Sequence, residues 1–273
     1  MTNPQDYSVS NKVQKYNILP IIEEFSEDLV NICGKCMDIG CGPGDITKDL
    51  LLPLLGPNVE IIGTDISESM IEYANKTFGD RKRLQFEVLD AATENLPKKY
   101  ISEFDHIFSF HALHWCNDIR QAFKNIYQML RPKGTILFYI SAFNDMFDVL
   151  KMMAQDIRFA QYIPDAMRNV APYHKSNNPR KELKESLESV GFTVHHCSLR
   201  ETSYSEEKSE QFLKSVLSIL AFLEDMPGDL IIQYKDELIH EYMKRKIRYR
   251  PINNNQELTL DLYKGLVVYA QKM

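Results

Sequence analysis

Met37-Asp38-Ile39-Gly40-Cys41-Gly42-Pro43-Gly44 is an apolar run that breaks into glycines at alternate positions. The run from Lys35 to Ile39 predicts a buried strand, and the glycines predict a sharp turn whose backbone approaches a ligand with no Cβ in the way. The helical spacing of Ile46, Leu50 and Leu54 predicts a helix over 45–55, closed before Pro57. The dinucleotide turn Gly-x-Gly-x-x-Gly would need glycine at 45, where this chain has Asp45. A carboxylate in the first turn of that helix also repels a pyrophosphate. A cationic ligand with an amino-acid end fits better.

Outward from this turn, strands and helices alternate. Strands are predicted over 60–65, 84–89, 106–110 and 135–140, with helices over 67–78 and 118–130, the last closed by Arg131-Pro132-Lys133-Gly134. Alternation of this kind gives βαβ units, hence an α/β fold with a doubly wound, mostly parallel, Rossmann-like sheet, expected to have seven strands. After Ile140 the rhythm changes. Helices are expected over 145–162, 179–190, 206–224 and 228–248, and two late strands over 193–202 and 257–271. The chain therefore divides into a core over 31–142, a helical cap over 143–192 and 204–256, and a final strand pair over 193–203 and 257–273. Residues 1–30 form an N-terminal helical segment expected to close the site.

Composition narrows the function classes. The 273 residues are 44% hydrophobic and 26% charged, ordinary for a globular chain. A net charge of −6 gives no broad basic surface for nucleic acid. The cluster Lys244-Arg245-Lys246 ends a predicted helix and reads first as compensation of the macrodipole, with anion or membrane-surface attraction as the alternative. No apolar run reaches the roughly 18 residues of a membrane span, and the N-terminus has no signal-peptide pattern, so a cytoplasmic protein without stable membrane association is expected. Cys33-Gly34-Lys35-Cys36 lacks two further zinc ligands and reads as two reduced, partly buried thiols. His195-His196-Cys197 lies in a strand whose alternation splits it between two faces. No metal site is expected, and homodimerisation stays open.

Asp65 ends the second strand, where an acid grips ribose hydroxyls, and Asp90, followed by Ala91, ends the third. An isolated aspartate at a strand end is usually a turn or cap residue. Acids at three successive strand ends beside a glycine turn point instead to a cofactor crevice. Over residues 35–140 this set resembles the class I S-adenosylmethionine-dependent methyltransferases. The resemblance implies S-adenosylmethionine as cofactor, with Asp38, Gly40, Cys41, Gly42 and Gly44 at its methionine end. It also implies Asp65 and Ile66 at the ribose, Asp90 and Ala91 at the adenine, and Tyr7 and Ser109 beside them.

The acceptor side rests on two stretches. His111-Ala112-Leu113-His114-Trp115 follows the fourth strand; His114 reads either as a general base or as a hydrogen-bonded wall residue. Trp115 offers one N–H and a flat apolar face. The second stretch is Tyr7 to Gln14, which resembles the Tyr-x-x-x-Asn-x-x-Gln opening of small-molecule carboxyl methyltransferases. That resemblance implies that Gln14 and Trp115 grip the acceptor carboxylate while His114 orients it. Further matches at Gly63-Thr64-Asp65-Ile66-Ser67, Leu113-His114-Trp115, Phe147-Asp148-Val149 and Pro172-Tyr173-His174 run along nearly the whole chain. Together they resemble the insect juvenile hormone acid O-methyltransferases, and imply a hydrophobic sesquiterpenoid acid as acceptor. Expected lining residues for such an acceptor are Phe143, Met146, Phe147, Leu150, Tyr173, His174, Ile219 and Leu220, although any cap helix needs an apolar face simply to pack. The competing reading is a methyltransferase for another small acid, trans-aconitate-like or carrier-linked.

Overall fold

A computed structural model describes residues 3–80, 82–164, 171–206, 210–252 and 257–273. The parts of the expected cap that fall on 165–170, 207–209 and 253–256 lie outside the described residues. The strands are β1 (Lys35–Ile39), β2 (Glu60–Asp65), β3 (Leu84–Val88), β4 (Phe104–Phe110), β5 (Leu130–Phe143), β6 (Phe192–Glu206), β7 (Ile247–Tyr249) and β8 (Leu258–Lys272). They form one sheet in the order β3-β2-β1-β4-β5-β8-β6, with the short β7 pairing β8 as an eighth strand. Pairing is parallel from β3 through β5 and antiparallel where β8 meets β5, β6 and β7. The chain winds out from β1 to β3, returns, and winds the other way from β4. A crevice therefore opens at the carboxyl ends of β1 and β4, as such a switch of direction requires.

Strand alternation builds the two core layers. Met37, Ile62, Ile107, Ile136 and Phe138 face one layer, closed by the Ile119–Met129 helix. Cys36, Ile61, Phe108, Leu137 and Tyr139 face the other, closed by Ile18, Ile21 and Ile22 of the Lys12–Glu24 helix. Both faces are covered, which is why the central strands read as unbroken apolar runs. A third cluster, with Met146, Leu150, Leu213, Leu220, Tyr234 and Tyr242, is the core of the later helices Asp145–Met153, Glu210–Leu217 and Gly228–Met243.

Several elements depart from the sequence expectation for physical reasons. The predicted helix over 45–55 widens into a π-helix at Thr47–Leu51 and tightens into a 3₁₀ turn at Leu52–Leu54. Pro53 sits in that 3₁₀ turn and brings no N–H to an α-helical ladder. β5 begins at Leu130 because Leu130 pairs with Phe104, and the expected turn becomes an irregularity at Lys133, whose φ is +67°. The helix predicted over 145–162 stops at Met153, and that over 206–224 ends at Leu217 before a 3₁₀ turn at Ala221–Asp225. A bulge between Val194 and His196 breaks the alternation of β6, so His195 packs on Tyr269 while His196 packs on Phe25, itself against Tyr269.

The basic cluster follows the Gly228–Met243 helix as expected, with Lys244 at its C-cap, but Lys246 has a further role. Lys246 is buried, pairs with Asp261 and, at 3.5 Å, with Asp145, and lies over the Tyr242 ring. Lys244 pairs with Glu241. Of the two thiols expected to be partly buried, Cys36 is fully buried and Cys33 is exposed. Among the described residues no helix is long and apolar enough to cross a membrane, and no group of three or more His, Cys, Asp or Glu is placed to hold a metal ion.

Candidate active site

The crevice at the strand ends is a cavity of about 520 Å³. Gly40 and Gly42 after β1, Asp65 and Ile66 after β2, Asp90 and Ala91 after β3, and the His111–Asp118 loop after β4 all line it. The backbone conformations there demand glycine. Gly40 has φ +72°, and a Cβ on it would come within 1.9 Å of the Ala112 Cβ. The turn thus abuts the loop after β4 directly. Gly42 has φ +55° and open space, with Tyr7 Cε1 at 3.7 Å from a Cβ placed there.

Asp65 serves both the fold and the cavity. Its Oδ2 accepts from the Gly42 N–H at 3.0 Å and its Oδ1 from the Ser67 N–H at 2.9 Å. Burial raises its pKa, and those backbone donors oppose the rise. Asp90 accepts from the Ala92 N–H at 2.9 Å while remaining exposed along the cavity wall. Asp38 is buried beneath the turn, outside the wall; its Oδ2 accepts from the Thr47 hydroxyl at 2.6 Å. Burial pushes its carboxyl up to about 7, against the Thr47 hydrogen bond. Cys41 and Gly44 lie under the turn as well, a Cβ on Gly44 meeting the Phe86 ring at 2.7 Å. Ser109 donates to the Ile39 carbonyl at 2.9 Å, tying β4 to β1. These four residues shape the turn rather than face the cavity.

Asp45 is satisfied internally. Lys15 Nζ stands 2.6 Å from its Oδ2, and Asn11 Nδ2 donates to both carboxylate oxygens at 2.9 and 3.2 Å. The N-terminal helices are therefore pinned onto the glycine turn by the very carboxylate that distinguishes it from a dinucleotide turn. Tyr7, carried on the Pro4–Ser10 helix, is held against Gly42 as a consequence. Burial, then Asp45 and Asp65, raises its pKa, so it stays a neutral phenol.

Beside the large cavity lies a chamber of about 50 Å³. Tyr7, His111, Trp115 and Ile219 line both spaces and form the wall between them. Gln14, Asn17, His114, Tyr139, Met146 and Phe147 also line the chamber, and among its described lining residues there is no Asp, Glu, Lys or Arg. Gln14 Nε2 donates to the Ser215 hydroxyl at 3.1 Å, while its Oε1 is buried with no partner. Ser215 in turn donates to the Phe212 carbonyl at 2.7 Å. An orphaned amide atom on a chamber wall is what a polar ligand group would satisfy.

His114 is buried, and burial pushes its pKa down to about 3. Its Nδ1 accepts from the Ser141 N–H at 3.4 Å, which leaves the proton of the neutral ring on Nε2. Its ring packs against Trp115 at 5.3 Å and Phe147 at 5.7 Å between centroids. His114 is thus a neutral donor and a poor base.

Gln14, Trp115, Met146, Phe147 and Ile219, named from sequence, come together around the chamber; Phe143, Leu150, Tyr173, His174 and Leu220 line neither space. Leu150 and Leu220 belong to the cap core and Tyr173 to the main core. His174 stacks on Phe143 and pairs with Asp148 at 3.1 Å. Among the residues that sequence reasoning missed are His111, Asn17, Tyr139, Ser215 and Tyr263, which all line the chamber. His111 was visible in the loop after β4, but nothing in its spacing set it apart from its neighbours.

A methyltransferase-domain family model matches residues 37–136 of the chain. Over 270 residues the chain is 32% identical to the juvenile hormone acid O-methyltransferase of Drosophila melanogaster, covering 97% of this chain and 91% of that protein. It is 31% identical over 279 residues to the Bombyx mori protein of the same name, covering 100% and 98%. A match of 30% to the malonyl-[acyl-carrier protein] O-methyltransferase of Legionella pneumophila covers only 38% of this chain and 35% of that one. Among solved structures, the YcgJ protein of Bacillus subtilis shares the fold with a TM-score of 0.54 at 15% identity, over 92% of this chain and 97% of its own. The [4+2]-cyclase SpnF does so with a TM-score of 0.52 at 16% identity, over 91% and 78%. A fold shared with a cyclase does not by itself specify methyl transfer.

Proposed function

The chain belongs to the juvenile hormone acid O-methyltransferase family, and from that premise we propose that it methylates the carboxylate of a sesquiterpenoid acid. The acceptor is juvenile hormone acid or farnesoic acid, the methyl donor is S-adenosylmethionine, and the product is the methyl ester made in juvenile hormone biosynthesis. The protein acts in the cytoplasm.

The observation that carries the carboxylate is the state of His114. An alcohol or phenol acceptor must lose a proton with a pKa of about 10 or more, which a histidine of pKa about 3 does not take. A carboxylic acid, with a pKa near about 4–5, arrives already ionised. A polyacid would call for Lys or Arg, and none is among the described residues of the chamber wall.

The large cavity fits the methyl donor by its chemistry: Asp65 for vicinal hydroxyls, the Asp90-Ala91 edge for an adenine, and buried Asp38 near the cationic end. Bound there, the donor supplies a methyl on a positively charged sulfur, open to in-line displacement by an oxygen. The work of the chain is then orientation and exclusion of water. Gln14, His114 Nε2–H and the Trp115 indole are neutral donors, and they hold an anion without over-stabilising it. This matters because the anionic charge is partly neutralised in the transition state, so a buried Arg would favour the ground state. Turning the Gln14 amide, with the Ser215 hydroxyl rotating from the Phe212 carbonyl to donate to Oε1, presents its NH₂ where Oε1 now lies unpartnered.

A chamber of about 50 Å³ admits the carboxyl end alone, short of the roughly 300 Å³ or more of a typical ligand pocket. The apolar tail therefore enters by displacing Met146, Phe147 and Ile219, side chains drawn from the Asp145–Met153 helix and the segment after Leu217. The test is methyl transfer from labelled S-adenosylmethionine to a panel of acids. Farnesoic and juvenile hormone acids should react far faster than aconitate, and farnesol should not react. Equal rates on farnesol would overturn the carboxylate assignment.

A further inference from the structure

We propose that His111 is a further donor to the acceptor carboxylate, its neutral ring locked with the proton on Nδ1 by a hydrogen-bond chain running from Tyr263 through Asn17. The proposal rests on the carboxylate reading above and adds a residue and a tautomer to it.

Position comes first. His111 is one of four residues lining both the cofactor cavity and the acceptor chamber, so it stands at the wall the methyl group must cross. It holds φ at +59°, a left-handed conformation that a non-glycine residue keeps only where its surroundings enforce it. The enforcement is visible. Its N–H donates to the Tyr139 carbonyl at 3.1 Å, and its ring lies 4.5 Å from the Tyr139 ring.

The tautomer follows from the chain behind it. The Tyr263 hydroxyl donates to Asn17 Oδ1 at 2.7 Å, and Asn17 Nδ2 lies 3.2 Å from His111 Nε2. Turning the Asn17 amide would take from the buried Tyr263 O–H the acceptor it holds at Oδ1 and set the amide NH₂ against it. Asn17 therefore donates, Nε2 accepts, and the proton of the neutral ring sits on Nδ1. Burial, with His114 nearby, keeps the ring neutral by pushing its pKa well below 6.5. His114 has the opposite arrangement, with Nδ1 accepting and Nε2 protonated. Two neighbouring histidines in opposite tautomers present two N–H donors and no cation.

The titratable groups facing His111 are His114 on its own loop, Tyr139 on β5, Tyr263 on β8, Tyr7 from the N-terminal helix and Asp65 across the cofactor cavity. Asn17→Asp tests the tautomer against this background. A carboxylate at 17 accepts from Nε2–H and favours imidazolium. Below the new pKa both ring nitrogens carry protons; above it the remaining proton stays on Nε2 and Nδ1 loses its donor. The turnover of the variant, at saturating S-adenosylmethionine, should fall at least about tenfold as pH rises through that pKa. The wild type should show no such limb.

Nitrogen-15 NMR of the histidine rings, assigned by difference with His111→Gln, reads the tautomer without any turnover. We expect Nδ1–H in the wild type, Nε2–H in Asn17→Asp above its pKa, and a mixture in Tyr263→Phe, which frees the amide. Wild-type protein with Nε2–H, or Asn17→Asp with the wild-type pH profile, overturns the proposal. If Asn17→Asp does not fold, the wild-type spectrum and Tyr263→Phe still decide. Failure of the sesquiterpenoid acids as substrates would leave the ring spectrum unchanged, so the two readings fail separately.

Discussion

Lys15 Nζ and Asp45 Oδ2 stand 2.6 Å apart, joining the N-terminal helices to the first turn after the glycines. Together with the Asn11 hydrogen bonds to the same carboxylate, this contact makes the acceptor side of the site depend on the cofactor side. Asp45 is buried and Lys15 only half so, which makes the aspartate the partner that suffers when the pair is broken. Lys15→Met should destabilise the protein by about 1–3 kcal/mol in urea unfolding, the cost of leaving a buried carboxylate without its cation while Asn11 still donates to it. Adding Asp45→Asn should restore most of the loss, because the neutral amide no longer needs a cation. Additive losses in the double variant would show that the pair is not coupled.

Gln14 donates to Ser215, interacts with the Tyr7 hydroxyl and keeps its Oε1 buried without a partner. Gln14→Ala should lower kcat/KM for the acid about 10- to 100-fold, the worth of one hydrogen bond to an anion. Affinity for S-adenosylmethionine, measured by calorimetry, should stay within about twofold of the wild type. A collapse of cofactor affinity instead would place Gln14 on the wrong side of the wall.

His114 and His111 are both neutral across the physiological range, so neither contributes a limb to the pH–rate profile. The rate of the wild type should be level from about pH 6 to 9 and fall only below about 5, as the acceptor carboxylate itself protonates. His114→Gln, which keeps a donor, should retain far more activity than His114→Phe. A limb near 6.5 that vanishes in His114→Gln would restore the general-base reading.

Asp38 carries its carboxyl at about 7, chiefly because it is buried under the turn. The folded state therefore holds this proton more tightly than the unfolded chain, whose aspartate titrates near about 3.9. Stability from this group is present below the unfolded value and is lost as pH rises from about 4 to 7. Asp38→Asn should accordingly be more stable than the wild type at pH 8 and lose less stability between pH 5 and 8. Urea unfolding at the two pH values measures both effects.

The parallel core was legible because a strand buried on both faces leaves an unbroken apolar run, and because glycine at 40 and 42 is enforced by backbone geometry. The Thr47–Leu51 π-helix was not legible, since Ile46, Leu50 and Leu54 keep an apolar spacing that serves either helix. The acidic strand ends pointed to the cavity, but Asp38 and Asp65 differ in a way spacing does not encode: one lies under the turn, the other on the wall. On the acceptor side, hydrophobicity marks burial without saying in which of two apolar environments. Phe147 faces the chamber while Leu150, three residues on, faces the cap core. Asn17 and Tyr263 meet across 246 positions, a contact that only the folded chain creates.

β8 runs between β5 and β6, pairing Val268 with Phe138 on one side and with Cys197 on the other. The sheet is therefore assembled out of order. During synthesis β1 to β5 can form with the edge of β5 bare, and β6 has no strand to join until Leu258–Lys272 has been made. Contacts of such long sequence separation close slowly, and a bare apolar edge in the interval invites association between growing chains. A chain stopped at residue 257 should accumulate in aggregates, and supplying the Leu258–Lys272 segment as a separate peptide should rescue part of the soluble yield.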